Sequence, residues 1–488
     1  MLWLALILPQ LPLQVFARGS AEPGLLTVTE AAPGRRICAA SPQARALGVK
    51  RGQRLASALA VAPALQLRER NPELEEATLK EVADWAGAYT PQLSFCPPDG
   101  LLLEIGASLR LFGGESNLRT NLLTGLAALG LHAVAASAPT PLAARWLARA
   151  GHGSTPLPPD WRGLLDELPL AVLLDGSNVA GHNLELLAGI GARTLGDIRR
   201  LPRAGLARRD AAAVTHTLAL AYGETPDLRP SYQPPPRFEH RLVMPSPTIA
   251  VEPLLFAARR LFTSLSGWLA ARQAAADHCR LVLMHEHGED TVVDIVTGAP
   301  SRDQDRLDLL ARERLAALSL PEPVVELRLH ADAPSPLAPR SDDLFGDPGT
   351  ARENARLLVD RLRARLGEDS VRQLRPLAEH RPERAWATLP PADAPRAERG
   401  TAPLPAQQRP LWLLPQARRL QPRGLAADAT PGEGFQLLSG PERIESGWWD
   451  EAGIRRDYHQ ALDPQGARCW LYRELDPPCD WYLHGYFA

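Results

Sequence analysis

Lysine is almost missing from this chain: of 54 basic residues, only Lys50 and Lys80 are not arginine. With its excess of Ala, Leu and Pro the composition reads as genome bias, so arginine counts alone say little about phosphate contact. Neither sign of charge prevails, since 54 basic residues face 56 acidic ones for a net charge of -2. That excludes a histone-like polycation but leaves room for a local basic face offset by acids elsewhere. Paired cysteines are missing too. Cys38, Cys96, Cys279, Cys469 and Cys479 form no CxxC, which argues against a zinc module or a disulfide framework and fits a reducing cytoplasm. No apolar run approaches the roughly 18–20 residues that span a bilayer. Nor does any acid precede Glu22.

What is present bounds the architecture. The length, 488 residues, suggests three or four domains at roughly 100–200 residues each. Met1–Phe16 is mostly apolar and is followed by small residues around Ser20, a pattern resembling a signal peptide. No charge precedes it and Pro9 and Pro12 interrupt it, so a buried first strand over Leu2–Leu8 is the better expectation. Short strands are expected at 25–29 and 36–40 around Ala32-Pro33-Gly34, then helices at 42–47, 54–60 and 72–89. Strands at 92–96 and 100–105 flank the turn Pro97-Pro98-Asp99-Gly100. A helix at 117–129, a strand at 132–137 and a helix at 141–150 complete a β-α-β-β-α-β order once 21–71 is set aside as an insertion. Residues 165–232 offer short helices and Gly-rich turns, and 237–332 repeat the β-α-β-β-α-β order. From 331 to 434 the composition turns to Pro, Arg, Asp and Ala, with one helix at 351–366 and the remainder expected as linker. Four of 11 tryptophans then crowd into 435–488. A small β module is expected there.

This order, with local motifs, resembles the Y-family (translesion) DNA polymerases. Ser41-Pro42-Gln43-Ala44-Arg45-Ala46-Leu47-Gly48-Val49 sits where that family has its triphosphate-holding fingers motif. Leu102-Leu103-Glu104-Ile105 resembles its second palm strand. The resemblance implies an α+β right-hand architecture: palm at 1–20 and 72–164, fingers at 21–71, a helical thumb at 165–235 and a ferredoxin-like little finger at 236–333. A linker with a clamp-binding motif at 334–434 and the Trp-rich module at 435–488 would follow.

Such enzymes transfer a phosphoryl group with two divalent ions about 3.5–4 Å apart, a charge density that only anionic oxygens make tolerable. The departures from the family fall on those oxygens. The first-strand acids align at about Ala5-Leu6-Ile7, and the second-strand pair aligns at Asp99-Gly100. Only Asp99 survives, in a turn where Asp is also favoured for turn chemistry. In the fingers Pro42 replaces the family's Tyr, leaving Ser41 and Arg45 as a nucleotide-binding remnant. A polymerase fold without the polymerase reaction is expected, with no metal and no cofactor. The pair His285 and His287 reads as a strand end rather than a ligand set.

Within the family, this loss resembles the ImuB branch, the accessory subunit of an inducible bacterial mutasome. So do His380-Arg381-Pro382-Glu383, Arg409-Pro410-Leu411-Trp412-Leu413 and the end of the chain from Arg443-Ile444-Glu445-Ser446-Gly447-Trp448-Trp449-Asp450 onward. The resemblance implies a cytoplasmic adaptor in SOS-induced, error-prone translesion synthesis. Its partners would be DNA, a sliding clamp, an alternative polymerase III alpha-type subunit and a RecA-like accessory protein. Gly189, Gly191, Arg193, Thr194, Arg199 and Arg200 read as a partial helix-hairpin-helix for DNA, with Arg203, Arg208 and Arg209 beyond. Leu344-Phe345 is the favoured clamp anchor and Gln408, Leu411 and Trp412 the alternative. Two rival readings stay open: an active lesion-bypass polymerase, and an exported protein of unrelated fold.

Overall fold

The structure is a computed structural model. It describes residues 1–488 apart from 23, 32–34, 154–155, 203–205, 207–211, 333, 337–347, 391–408, 422–429, 433 and 488. The turn Ala32-Pro33-Gly34 and Arg203, Arg208 and Arg209 lie outside the described residues. The chain divides into two units, Met1–Arg365 and Leu366–Ala488.

The first unit opens with β1 (Trp3–Ile7). Then come β2 (Leu26–Thr29), β3 (Ile37–Ala40), β4 (Gln66–Glu69), β5 (Leu93–Cys96), β6 (Gly100–Glu104) and β7 (Val134–Ala138). One antiparallel sheet runs β5-β6-β1-β7, with β1 at its centre. Leu4 and Leu6 face the helices Pro72–Ala86 and Glu115–Ala128, while Ala5 and Ile7 face the helix Pro141–Arg149. A strand covered on both faces is apolar at every position, which is why this stretch looked like an export signal. Helix Leu11–Ala17 follows at once and was not expected. Pro12 lies in its first turn, where a missing N–H costs nothing, so the proline that broke the pattern is compatible with the helix.

The insertion holds a three-stranded sheet, β3-β2-β4, in which β2 and β4 are parallel. Residues 165–232 carry only short helices among the described residues, Gly181–Gly189 and Leu195–Arg199 among them. The second β-α-β-β-α-β run consists of β8 (Phe238–Thr248), β9 (Ala274–His285), β10 (Thr291–Ser301) and β11 (Val324–Ala331), with helices Val251–Ala271 and Gln304–Ala316. Its strand order is β10-β9-β11-β8, unlike that of the first sheet. The last strand, not the first, sits inside. Repeated element order therefore does not carry repeated strand order.

Helix Pro72–Ala86 lies along Val251–Ala271. Trp85 is keyed between Gly125 and Gly267, where an added Cβ on either would collide with its indole. Around it, Asp84 accepts from Tyr232 Oη at 3.0 Å and pairs with His240 Nε2 at 2.9 Å, and Arg18 pairs with Glu81 at 2.6 Å.

In the second unit, strands Gln373–Pro376 and Trp386–Leu389 form a hairpin. A six-stranded antiparallel sheet is built from Trp412–Arg419, Trp481–Tyr486, Arg468–Glu474, Ile454–Leu462 and Gln436–Leu437 in that order, with Glu442–Ser446 pairing Ile454–Leu462. Trp412–Arg419, expected as linker, is thus a strand of the Trp-rich module. Pro415 hid it, and it is tolerated because the strand is an edge. No helix of the described residues is long and apolar enough to cross a membrane.

Candidate functional site

The positions expected to correspond to palm carboxylates lie on the ladder between β1 and β6. Ile7 pairs with Gly100, and Leu8 N–H donates to the Asp99 carbonyl at 2.8 Å. The position facing the Asp99-Gly100 pair is therefore Ile7. Ala5 pairs with Leu102, two residues deeper in the same ladder. A Cβ built on Gly100 would lie 2.6 Å from Ile7 Cδ1 and 2.8 Å from the Leu6 carbonyl. Hydrocarbon at 7 and a bare backbone at 100 are one packing solution.

Asp99 is not free either, nor is it a turn residue alone. Arg149 grips both of its oxygens, Nη1 on Oδ2 at 2.8 Å and Nη2 on Oδ1. Arg149 Nε also donates to Asp175 Oδ2 at 3.3 Å. Arg145 forks onto Asp175 at 2.8 and 2.6 Å and donates to the Pro97 carbonyl at 2.7 Å, and Trp146 Nε1 donates to the Asp175 carbonyl at 2.9 Å. Burial and these carboxylates act on both guanidiniums in opposite directions, with a net upward shift of each pKa. The network was legible in part: Arg145 and Arg149 are four apart on Pro141–Arg149 and so share a face. Asp175 gave no local signal.

These residues do not fit two divalent ions. One position is hydrocarbon, one has no side chain, and the remaining carboxylate already carries its positive charge on Arg149. Among the described residues, no cluster of three or more His, Cys, Asp or Glu could hold a metal ion. His285 instead bonds Thr291 Oγ1 at 2.8 Å.

A cleft of about 420 Å³ opens over this floor, lined by Pro9, Arg36, Arg51, Arg70, Asp99 and Arg149 among others. Arg70 is clamped to Glu75 at 2.8 and 2.9 Å. The expected nucleotide remnant is elsewhere. Ser41 is buried as a helix cap, accepting from Ala44 N–H at 3.2 Å and donating to the Gly24 carbonyl at 2.8 Å. Arg45 is exposed on the same helix and is not among the side chains lining the cleft.

The Gly-rich hairpin forms where expected, with Gly191 at φ 89° between Gly181–Gly189 and Leu195–Arg199. Its amides are spent internally. Those of Ile190, Gly191 and Ala192 reach back to the preceding helix, and Asp197 Oδ2 accepts from Arg193 at 2.9 Å and Thr194 at 3.0 Å. These bonds hold the Asp197 carboxyl below its ordinary pKa. Arg199 pairs with Asp166 at 3.2 Å and Arg200 with Asp197 at 3.4 Å. A phosphate would meet side chains here, above all exposed Arg193, rather than a nest of N–H groups.

Residues 13–149 match the model of the impB/mucB/samB family. Over 467 residues the chain is also 29% identical to the protein ImuB of Caulobacter vibrioides, covering 91% of this chain and all of that one. Solved structures found by shape include a Y-family DNA polymerase chimera of Dbh and Dpo4, with TM-score 0.39, 16% identity and coverage of 68% of this chain and 98% of that one. Another is DinB from Sulfolobus solfataricus, with TM-score 0.37, 17% identity and coverage of 69% and 100%. The likeness to ImuB read from the motifs extends over 91% of the chain.

Of the expected clamp-anchor residues, Leu344, Phe345 and Gln408 lie outside the described residues. Leu411 and Trp412 are 79% and 71% exposed at the start of an edge strand. The tail motif around Arg381 is docked in the second unit. Arg381 is buried and bonds Glu379 and Asp450, each at 2.7 Å.

Proposed function

We propose that this chain is a noncatalytic adaptor in damage-induced, error-prone DNA lesion bypass, working in the cytoplasm. It would join DNA and a sliding clamp to an alternative polymerase III alpha-type subunit that performs the synthesis, with a RecA-like accessory protein alongside. The single observation carrying this reading is the palm floor. Ile7 fills the space at Gly100 while Arg149 neutralises Asp99, so the carboxylates needed to tether two metal ions are replaced by a packed and charge-balanced surface. The similarity to ImuB over 91% of the chain supports the same assignment.

Primer extension by the purified chain in Mg²⁺ or Mn²⁺ tests it. No template-dependent incorporation above background is expected. Incorporation that Asp99→Ala abolishes would establish an active polymerase instead.

A further inference from the structure

Trp448 and Trp449 lie on the turn between Glu442–Ser446 and Ile454–Leu462, and they are 83% and 60% exposed. Trp470 and Trp481, in the neighbouring strands, are buried at 2% and 4%. The module therefore has an apolar interior that this pair does not join. Large aromatic side chains held in water on an ordered turn mark a contact surface.

The turn is braced from beneath. Arg381 forks onto Asp450 at 2.8 and 2.7 Å and donates to the Ala452 carbonyl at 3.1 Å, while Asp450 N–H donates to the Gly447 carbonyl at 3.1 Å. Gly447, at φ 83°, gives the guanidinium room that a Cβ would take. The Arg381 bonds hold the Asp450 carboxyl at about 2. A braced aromatic pair loses little freedom on binding, which favours affinity.

Geometry and charge then select the kind of partner. The two rings meet edge to face, at 82° with centroids 5.2 Å apart. Successive bases of a single strand stack on roughly parallel faces, which a perpendicular pair does not offer. Glu451, the next residue but one after Trp449, is exposed and has no ion-pair partner among the described residues. Negative charge beside the rings repels phosphates and suits a basic rim.

We infer that the Trp448–Trp449 turn is an anchor that seats in an apolar pocket, rimmed by basic side chains, on a protein partner. The inference rests on the adaptor reading and adds the place and chemistry of one of its contacts.

The test uses the full chain against two purified probes in separate titrations, the alternative alpha-type subunit and the RecA-like accessory protein. Trp448→Ala with Trp449→Ala should weaken one of them at least ~30-fold, as two hot-spot aromatics do. Glu451→Lys, which touches no core residue, should weaken the same probe by roughly 3–10-fold and less so at high salt. Unchanged affinity in both variants overturns the inference and leaves the adaptor reading standing. If the unaltered chain binds neither probe, the adaptor reading falls and takes the inference with it. A loss confined to oligo-dT binding, or to self-association measured by light scattering, assigns the turn to a nucleic acid or a second copy and overturns the inference alone.

Discussion

The Cδ1 methyl of Ile7 fills the volume that a side chain at Gly100 would need, with a built Cβ falling 2.6 Å from it. The two positions are coupled. Gly100→Ala should destabilise the first unit by about 1–3 kcal/mol through overpacking. Adding Ile7→Ala should make the double variant less unstable than the two single effects summed, though the Leu6 carbonyl at 2.8 Å keeps the rescue incomplete. Chemical denaturation of the four proteins gives the coupling, and strict additivity would refute it.

Arg149 and Asp99 form a second coupled pair. Their side chains are 26% and 15% exposed, so Arg149→Ala strands a carboxylate with little water around it. A loss of about 1–3 kcal/mol is expected. Asp99→Asn introduced with Arg149→Ala should recover part of that loss. If the double variant is no more stable than Arg149→Ala, the bridge has no role in holding the palm floor.

Trp85, on helix Pro72–Ala86, packs against Gly267 in the second β-α-β-β-α-β run. Gly267→Ala would ordinarily gain about 1 kcal/mol of helix propensity. Here the collision with the indole should reverse the sign and leave a net loss of about 1–3 kcal/mol. Hydrogen exchange along Val251–Ala271 should rise in the variant. A stabilised, better protected helix would mean that the two elements are not keyed as described.

His484 makes the second unit acid-sensitive. Its Nδ1 faces Tyr458 Oη at 3.0 Å, and burial lowers its pKa from 6.5 to about 4, against an upward pull from Glu383. A histidine whose folded pKa is depressed resists protonation only while folded, so acid favours the unfolded chain. Stability should be level above about pH 7 and decline as the pH falls from 6.5 toward 4, by at most about 3 kcal/mol. His484→Gln should flatten that window in unfolding curves followed by tryptophan fluorescence. An unchanged slope would place the sensitivity elsewhere.

For the clamp, Leu344→Ala with Phe345→Ala should abolish pull-down by a purified sliding clamp. Retention there, with loss in Leu411→Ala/Trp412→Ala, would move the anchor to the exposed edge strand.

Much of the fold could be read directly from residue patterns. The helix Pro72–Ala86, with Asn71 as its cap, and the helix Val251–Ala271 announce themselves by spacing, and the turn at Pro97–Gly100 by composition. Helix Leu11–Ala17 did not, because Pro12 reads as a breaker unless the first turn is already located. Strand Gln66–Glu69 is polar and half exposed, so it carries no alternation to detect. At the candidate site the missing acids were visible, and what replaced them was not. Arg149 and Asp99 are 50 residues apart, and only the sheet brings them together. In a strand buried on both faces every residue is apolar, and pattern cannot say which one ends beside the turn.

A counter-ion that belongs to the polypeptide cannot be chelated, diluted or exchanged. Because Arg149 is built into helix Pro141–Arg149, the charge balance at Asp99 does not depend on the supply of magnesium.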